Sequence, residues 1–204
     1  MDVVAYIHGK GGCAAEAKHY KQLFASRDVI GLAYEGATPW DAGKEIHETI
    51  ATLKEKYDSI TLVANSIGAY FSMNADVEKY VTHAYFISPI VDMEKLITNM
   101  MGWAGVTEPE LQERGSVRTD FGEDLSWEYL CFARQHPVDW SVPTDILYGS
   151  KDTLTSLDTI TAFARGHHAH LTILDGGEHW FHTQEQMRIL DTWIRNRPDR
   201  FTQT

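Results

Sequence analysis

Cysteine, basic side chains and long apolar runs are all scarce in this chain of 204 residues. The two cysteines, Cys13 and Cys131, stand far apart and neither belongs to a CxxC pair. They read as free thiols in a reducing cytoplasm. No apolar run reaches the roughly 18 residues that a bilayer crossing needs. The opening Met1-Asp2-Val3-Val4 carries no basic segment and leads to no long apolar segment before a cleavage site, so no secretory signal and a cytoplasmic location are expected. Eighteen lysines and arginines stand against 29 aspartates and glutamates, a net charge of −11. Such a balance repels phosphate backbones and anionic lipid heads, which argues against nucleic-acid and membrane-surface partners. There is no internal repeat and no low-complexity segment.

What is present is an ordinary globular composition: 43% hydrophobic and 23% charged residues exclude a disordered or fibrous chain. The length suits one domain, and a chain of this size buries about 70% of its unfolded surface, enough to fold without a disulfide or metal staple. Short apolar runs recur along it. Val3–Ile7, Val29–Tyr34, Ile60–Ala64, Ala84–Ile87, Ile146–Tyr148 and Leu171–Leu174 read as strands buried on both faces, as in a parallel sheet. Helices fall between them. Thr38-Pro39 is an N-cap followed by proline at the first helical position, with Ile46, Ile50 and Leu53 as an apolar stripe. Thr153–Arg165 carries Leu157, Ile160 and Ala164 on one face and stops at Gly166. Thr183 and Gln186 form a capping-box pattern ahead of Met187, Leu190, Trp193 and Ile194. Strand and helix in alternation predict right-handed crossovers and an open α/β sheet.

Pro89–Val142 breaks that alternation. It shows no convincing strand but two helical patterns, near Met93–Trp103 and Asp124–Gln135, rich in methionine and aromatics. Such an insertion either covers a site or packs its aromatics onto the body.

Four strand ends carry residues that suit one chemistry. Ala64-Asn65-Ser66-Ile67-Gly68 joins a strand to a helix, and a serine on so tight a turn needs small residues two positions before and after it. The turn would present the Ser66 hydroxyl and the Ile67 amide to the same space. A serine needs a base, and His179 sits at the tip of the glycine-bearing loop Asp175–His182, with His182 as the second choice. The imidazole needs an anion. Asp152 follows the preceding strand, while Asp92 and Asp175 are rivals, and Asp152 could instead cap the next segment. His8-Gly9-Lys10-Gly11-Gly12 ends the first strand, and its Lys10 amide could join the Ile67 amide as an oxyanion hole. This string lacks the spacing of a phosphate-binding loop. His8 reads as a brace for the turn.

His8-Gly9-Lys10-Gly11, Ala64–Gly68, Gly149-Ser150-Lys151-Asp152 and Gly177-Glu178-His179-Trp180-Phe181 together resemble the α/β-hydrolase superfamily, in particular its small serine esterase-like members. The resemblance extends from Tyr6 to Trp193 in the order Ser, Asp, His. It implies a three-layer α/β/α sandwich with a mostly parallel sheet of about six strands, as the chain starts at the His-Gly strand. It implies a single domain over residues 1–204, with residues 89–142 as a helical cap. It also implies a nucleophile at Ser66, an acid at Asp152, a base at His179 and oxyanion donors at Lys10 and Ile67. Ala64 stands where glycine is usual.

The function expected is cleavage of a carboxylic ester or thioester of small size through an acyl-enzyme, with no cofactor. Amide or peptide cleavage by the same triad, and a non-catalytic small-molecule-binding module, are the alternatives. Trp103, Trp127 and Trp140 are candidate pocket liners. Among ten histidines, His167, His168 and His170 cluster but straddle a helix end and a strand start, so no metal site is expected.

Overall fold

The structure, a computed structural model, describes residues 1–197. In chain order its elements are β1 (Asp2–Ile7), a 3-10 turn (Ala14–Glu16) leading into α1 (Ala17–Tyr20), β2 (Asp28–Gly31), α2 (Pro39–Lys54), β3 (Ser59–Asn65), α3 (Ile67–Met73), β4 (His83–Ile87), α4 (Met93–Ala104), α5 (Glu108–Arg114), β5 (Ser116–Arg118), β6 (Asp124–Ser126), α6 (Trp127–Gln135), β7 (Thr144–Gly149), α7 (Leu157–Gly166), β8 (His170–Leu174) and α8 (Gln184–Arg195). They form two compact units. One runs from Met1 to Ile90 and resumes at Asp139; the other is Val91–Val138.

In the first unit six strands make one parallel sheet in the order β2-β1-β3-β4-β7-β8. Each of the six predicted apolar runs becomes one of these strands; the four inner strands are covered on both faces, while the edge strands β2 and β8 stay partly exposed, with Ile173 of β8 47% exposed. The second predicted run stops at Gly31 instead of Tyr34. On one face Val4, Tyr6, Val63, Tyr85, Ile87 and Leu147 pack with Ala17 and Tyr20 of α1 and Leu190, Trp193 and Ile194 of α8. Alternation along the strands turns Val3, Ala5, Ile7, Leu62, Ala64, Phe86 and Ile146 to the other face, where they are fully buried. The sheet is thus the middle layer of an α/β/α sandwich.

The helix ends follow local chemistry. Thr38 caps α2 by accepting from the Asp41 amide at 3.3 Å, with Pro39 next. Thr183 and Gln186 close a capping box on α8. The helix predicted from Thr153 starts only at Leu157, capped by Ser156. Two of the three residues before that cap, Leu154 and Thr155, donate their amides to the Asp152 carboxylate, as described below.

Parallel strands place all six carboxyl ends on one edge. The chain leaves β1 for β2 on one side and then places β3 on the other, so the β1 and β3 loops part at a topological switch point. Open α/β sheets bind ligands in such crevices.

The second unit corrects the expectation of no strand within residues 89–142. Ser116–Arg118 and Asp124–Ser126 pair as an antiparallel hairpin, Val117 opposite Leu125. It also holds α5, a helix not predicted, capped by Thr107. Arg134 on α6 ties the helices together. It donates to Glu94 of α4 at 2.8 Å and, through its fork, to Glu108 of α5 at 2.6 and 2.8 Å.

Candidate active site

Ser66 stands alone between β3 and α3, with φ 50° and ψ −122°. A non-glycine residue at positive φ is strained, and the surroundings hold it there. Its amide donates to the Ile87 carbonyl at 2.9 Å, and its carbonyl accepts from the Ile90 amide at 3.2 Å. Gly68 is required by close approach: a Cβ there would lie 2.3 Å from the His8 carbonyl oxygen. The turn therefore brings the start of α3 directly against the end of β1. Ile67 supplies the first amide of that helix, one that has no partner four residues earlier within the helix.

The loops after β7 and β8 meet in the same way. Gly149 ends β7, and a Cβ on it would lie 2.4 Å from the Gly177 carbonyl oxygen and 2.6 Å from that of Glu178. The loops are stitched by Lys151 N–H to Gly177 O at 2.8 Å, and by Ser150 N–H to Leu174 O at 2.9 Å. Ser150 Oγ in turn donates to Asp175 and accepts from the Gly176 amide. Phe181, 7% exposed, anchors the histidine loop in the core beneath.

This crossing brings Asp152 to His179, with Oδ2 and Nδ1 2.7 Å apart. The Asp152 side chain has no exposed surface, and its Oδ1 accepts from the amides of Leu154 and Thr155 at 2.8 and 3.1 Å. Three donors satisfy a buried carboxylate and fix its plane. Because a carboxylate only accepts, His179 Nδ1 carries the hydrogen and Nε2 presents a lone pair. That lone pair faces Ser66 Oγ at 2.7 Å. Ser66, His179 and Asp152, predicted separately from three loops, form one bonded chain.

The rivals are occupied elsewhere. Asp92 caps α4 through the Lys95 amide at 2.9 Å. Asp175 serves Ser150. His182 donates from Nδ1 to the Trp180 carbonyl and stacks on that indole, which is 72% exposed. His167 bonds the Trp140 carbonyl at 2.9 Å, and His170 lies 3.8 Å from Asp145. Among the described residues no three His, Cys, Asp or Glu side chains gather as metal ligands.

Lys10 follows Gly9, whose Cα lies so close to Ser66 that a Cβ on it would be 3.2 Å from Ser66 Cβ. The loop turns through Gly12 N–H to Gly9 O at 3.1 Å, with Gly11 at φ 74° in the position of a type II turn that demands positive φ. Behind the serine, Asn65 donates to the Tyr6 hydroxyl at 2.8 Å, and that hydroxyl donates to Glu16 at 2.5 Å. Burial, then the nearby Tyr20 and Glu16, push the Tyr6 phenol far up, so it stays protonated. Neither Tyr6 nor Glu16 was anticipated from the sequence, since Tyr6 lies in an apolar strand and Glu16 in an exposed turn.

Of the three tryptophans expected to line a pocket, Trp140 does not. It is 2% exposed, its indole N–H donates to Thr144 at 2.8 Å, and its ring tilts onto Phe86 at 5.6 Å. It is core. Trp103 and Trp127 belong to the second unit. Trp103 is 54% exposed and meets Phe121 edge-on at 6.1 Å, and Trp127 is half-buried at the start of α6.

No protein-family model matches the chain, and no curated protein matches it in sequence. Solved structures do match in shape. A putative hydrolase from Agrobacterium vitis S4 superposes with a TM-score of 0.76 at 18% identity, covering 96% of this chain and 87% of that one. Est1E from Butyrivibrio proteoclasticus gives 0.75 at 16% identity, covering 96% and 86%. Alpha/beta hydrolase domain-containing protein 10 from mouse gives 0.69 at 14% identity, covering 95% and 88%. The chain has the α/β-hydrolase fold. No described helix is long and apolar enough to cross a membrane.

Proposed function

We propose that the chain is a serine hydrolase that cleaves a small carboxylic ester or thioester through an acyl-enzyme on Ser66. The observation that carries this reading is the unbroken chain from Ser66 Oγ to His179 to the buried Asp152, with both contacts at 2.7 Å. A hydroxyl bonded to a neutral imidazole, itself oriented by a carboxylate, is what nucleophilic acyl transfer needs. The strained φ of Ser66 lifts that hydroxyl above the sheet edge.

In this reading Ser66 Oγ attacks the acyl carbon while its proton passes to His179 Nε2. The carbonyl electrons move to oxygen, and the Lys10 and Ile67 amides hold the negative charge there. Collapse expels the alkoxide or thiolate, which leaves with the proton from His179. Water then gives a proton to His179 and attacks the acyl-enzyme, and a second collapse releases the acid and restores the serine. Asp152 keeps Nδ1–H in place and stabilises the imidazolium at each step. Ester cleavage is preferred over amide cleavage because the structural neighbours include an esterase from Pyrococcus furiosus.

The test is Ser66→Ala. Wild-type protein should label with a fluorophosphonate probe and turn over short p-nitrophenyl esters, and the variant should do neither. Undiminished labelling of the variant would remove Ser66 from its role.

A further inference from the structure

Resting on that reading, we infer that Tyr34 and His8 are positioning residues that orient the Lys10 amide as an oxyanion donor. Two successive peptides lead to that amide, and each is held by a side chain. The His8 carbonyl accepts from the Tyr34 hydroxyl at 2.6 Å. It is also wedged against Gly68 at the start of α3, where even a methyl group would meet it at 2.3 Å. The next carbonyl, of Gly9, accepts from His8 Nδ1 at 2.8 Å and from the Gly12 amide at 3.1 Å. A carbonyl only accepts, so Nδ1 bears the hydrogen. In a planar trans peptide the C=O and N–H point opposite ways. Holding the Gly9 carbonyl toward the His8 ring and the Gly12 amide therefore turns the Lys10 N–H the opposite way, in a loop that lies against Ser66.

The two rings brace one another. The His8 imidazole stacks on the Tyr34 ring with centroids 4.2 Å apart and planes 9° from parallel. Phe71 of α3 meets the Tyr34 ring edge-on at 5.9 Å. Tyr34 is itself buried, and the backbone after it is tied down by the Glu45 carboxylate, which accepts from the Glu35 and Gly36 amides at 2.9 Å each. Residues beyond the end of β2 thus set the direction of an amide beyond the end of β1. The oxyanion exists only in the tetrahedral state, so a misdirected amide costs rate while leaving substrate binding intact.

Tyr34→Phe and His8→Phe each keep the ring stack and remove one hydrogen bond. Each should lower kcat for a p-nitrophenyl ester about 10- to 100-fold with KM unchanged, somewhat less than loss of an oxyanion donor itself. A trifluoromethyl ketone, which forms an oxyanion on the serine, should weaken by the same factor, while the product acid binds as to wild type. Because both residues hold one loop, the double variant should lose less than the product of the two single losses. Thermal melts confirm that each variant is folded. If the wild type is active but folded Tyr34→Phe matches it in kcat and ketone affinity, or loses only KM, the positioning role is overturned. If the wild type neither labels nor turns over, the hydrolase reading falls first and takes this inference with it.

Discussion

Strand β7 has an aspartate near each end, and each keeps company with histidine. At the amino end Asp145 lies 3.1 Å from His83 Nε2, 3.0 Å from Arg197 and 3.8 Å from His170. Beyond the carboxyl end Asp152 bonds His179 and two backbone amides. Burial pushes the Asp145 carboxyl up, but His83, Arg197 and His170 outweigh it and hold the group below the usual carboxylate range. The difference lies on the far side of the histidine. His83 meets Tyr85 at a ring distance of 4.7 Å, inside the sheet. His179 meets a hydroxyl on a strained turn. An aspartate–histidine pair is therefore no signal of catalysis by itself. Under the proposed function the two pairs' positions on the sheet separate them: the pair at the strand starts holds the fold, and the pair beyond the carboxyl edge serves Ser66.

That contrast predicts that carboxyl-end substitutions change rate and amino-end substitutions change stability. The largest effect should come from Asp152→Asn. The amide can still accept from Leu154 and Thr155, so the fold survives, but its NH2 faces His179 and favours the wrong tautomer. A loss in kcat of about 10⁴ is expected, with the melting temperature moved by no more than about 3 °C. Asp92→Asn, which touches only the cap of α4, should leave kcat unchanged. If the two results exchange places, the acid is Asp92.

Asp145→Asn should do the opposite. Removing a carboxylate that holds Arg197 and His83 should lower the unfolding free energy at pH 7 by about 2 kcal/mol, with kcat and KM unchanged. Because the folded carboxyl lies below its unfolded value of about 3.9, its stabilisation is complete above that pH. It is lost as pH falls through the lower folded value. Urea unfolding should therefore separate wild type from variant at pH 7, and the gap should close below about pH 4. A gap that widens on acidification would contradict this account of Asp145.

The residues that were legible in the sequence carry local signatures. Val3–Ile7 is an unbroken apolar run, and Ile60–Ala64 is interrupted only by Thr61, because both sheet faces are covered. Ser66, Asp152 and His179 each lie in the loop that follows a strand, with glycines where loops must cross. Other features lack such marks. The hairpin strands hold one buried apolar residue each, Val117 and Leu125, too few to display a period. α5 buries only Leu111. α7 looks longer in sequence because Thr153–Thr155 are helix-compatible, yet two of their amides serve the Asp152 carboxylate. Tyr34 meets His8 across 26 residues, and nothing near either one announces the other. Such pairings follow from the order of strands, which periodicity does not encode.

Trp140 offers the mildest test of the contrast. It precedes β7 at the amino end, and its indole bonds Thr144, whose own hydroxyl donates to the Val142 carbonyl at 2.7 Å. Trp140→Phe keeps an aromatic ring beside Phe86 but loses that N–H and some volume. The expected cost is about 1–2 kcal/mol of unfolding free energy, the sum of one hydrogen bond and a small cavity. KM and kcat across esters of increasing acyl length should match wild type. A change in KM that grows with acyl length would return Trp140 to a substrate pocket. A pure loss of stability would leave it, with Asp145, on the end of the sheet that holds the fold together.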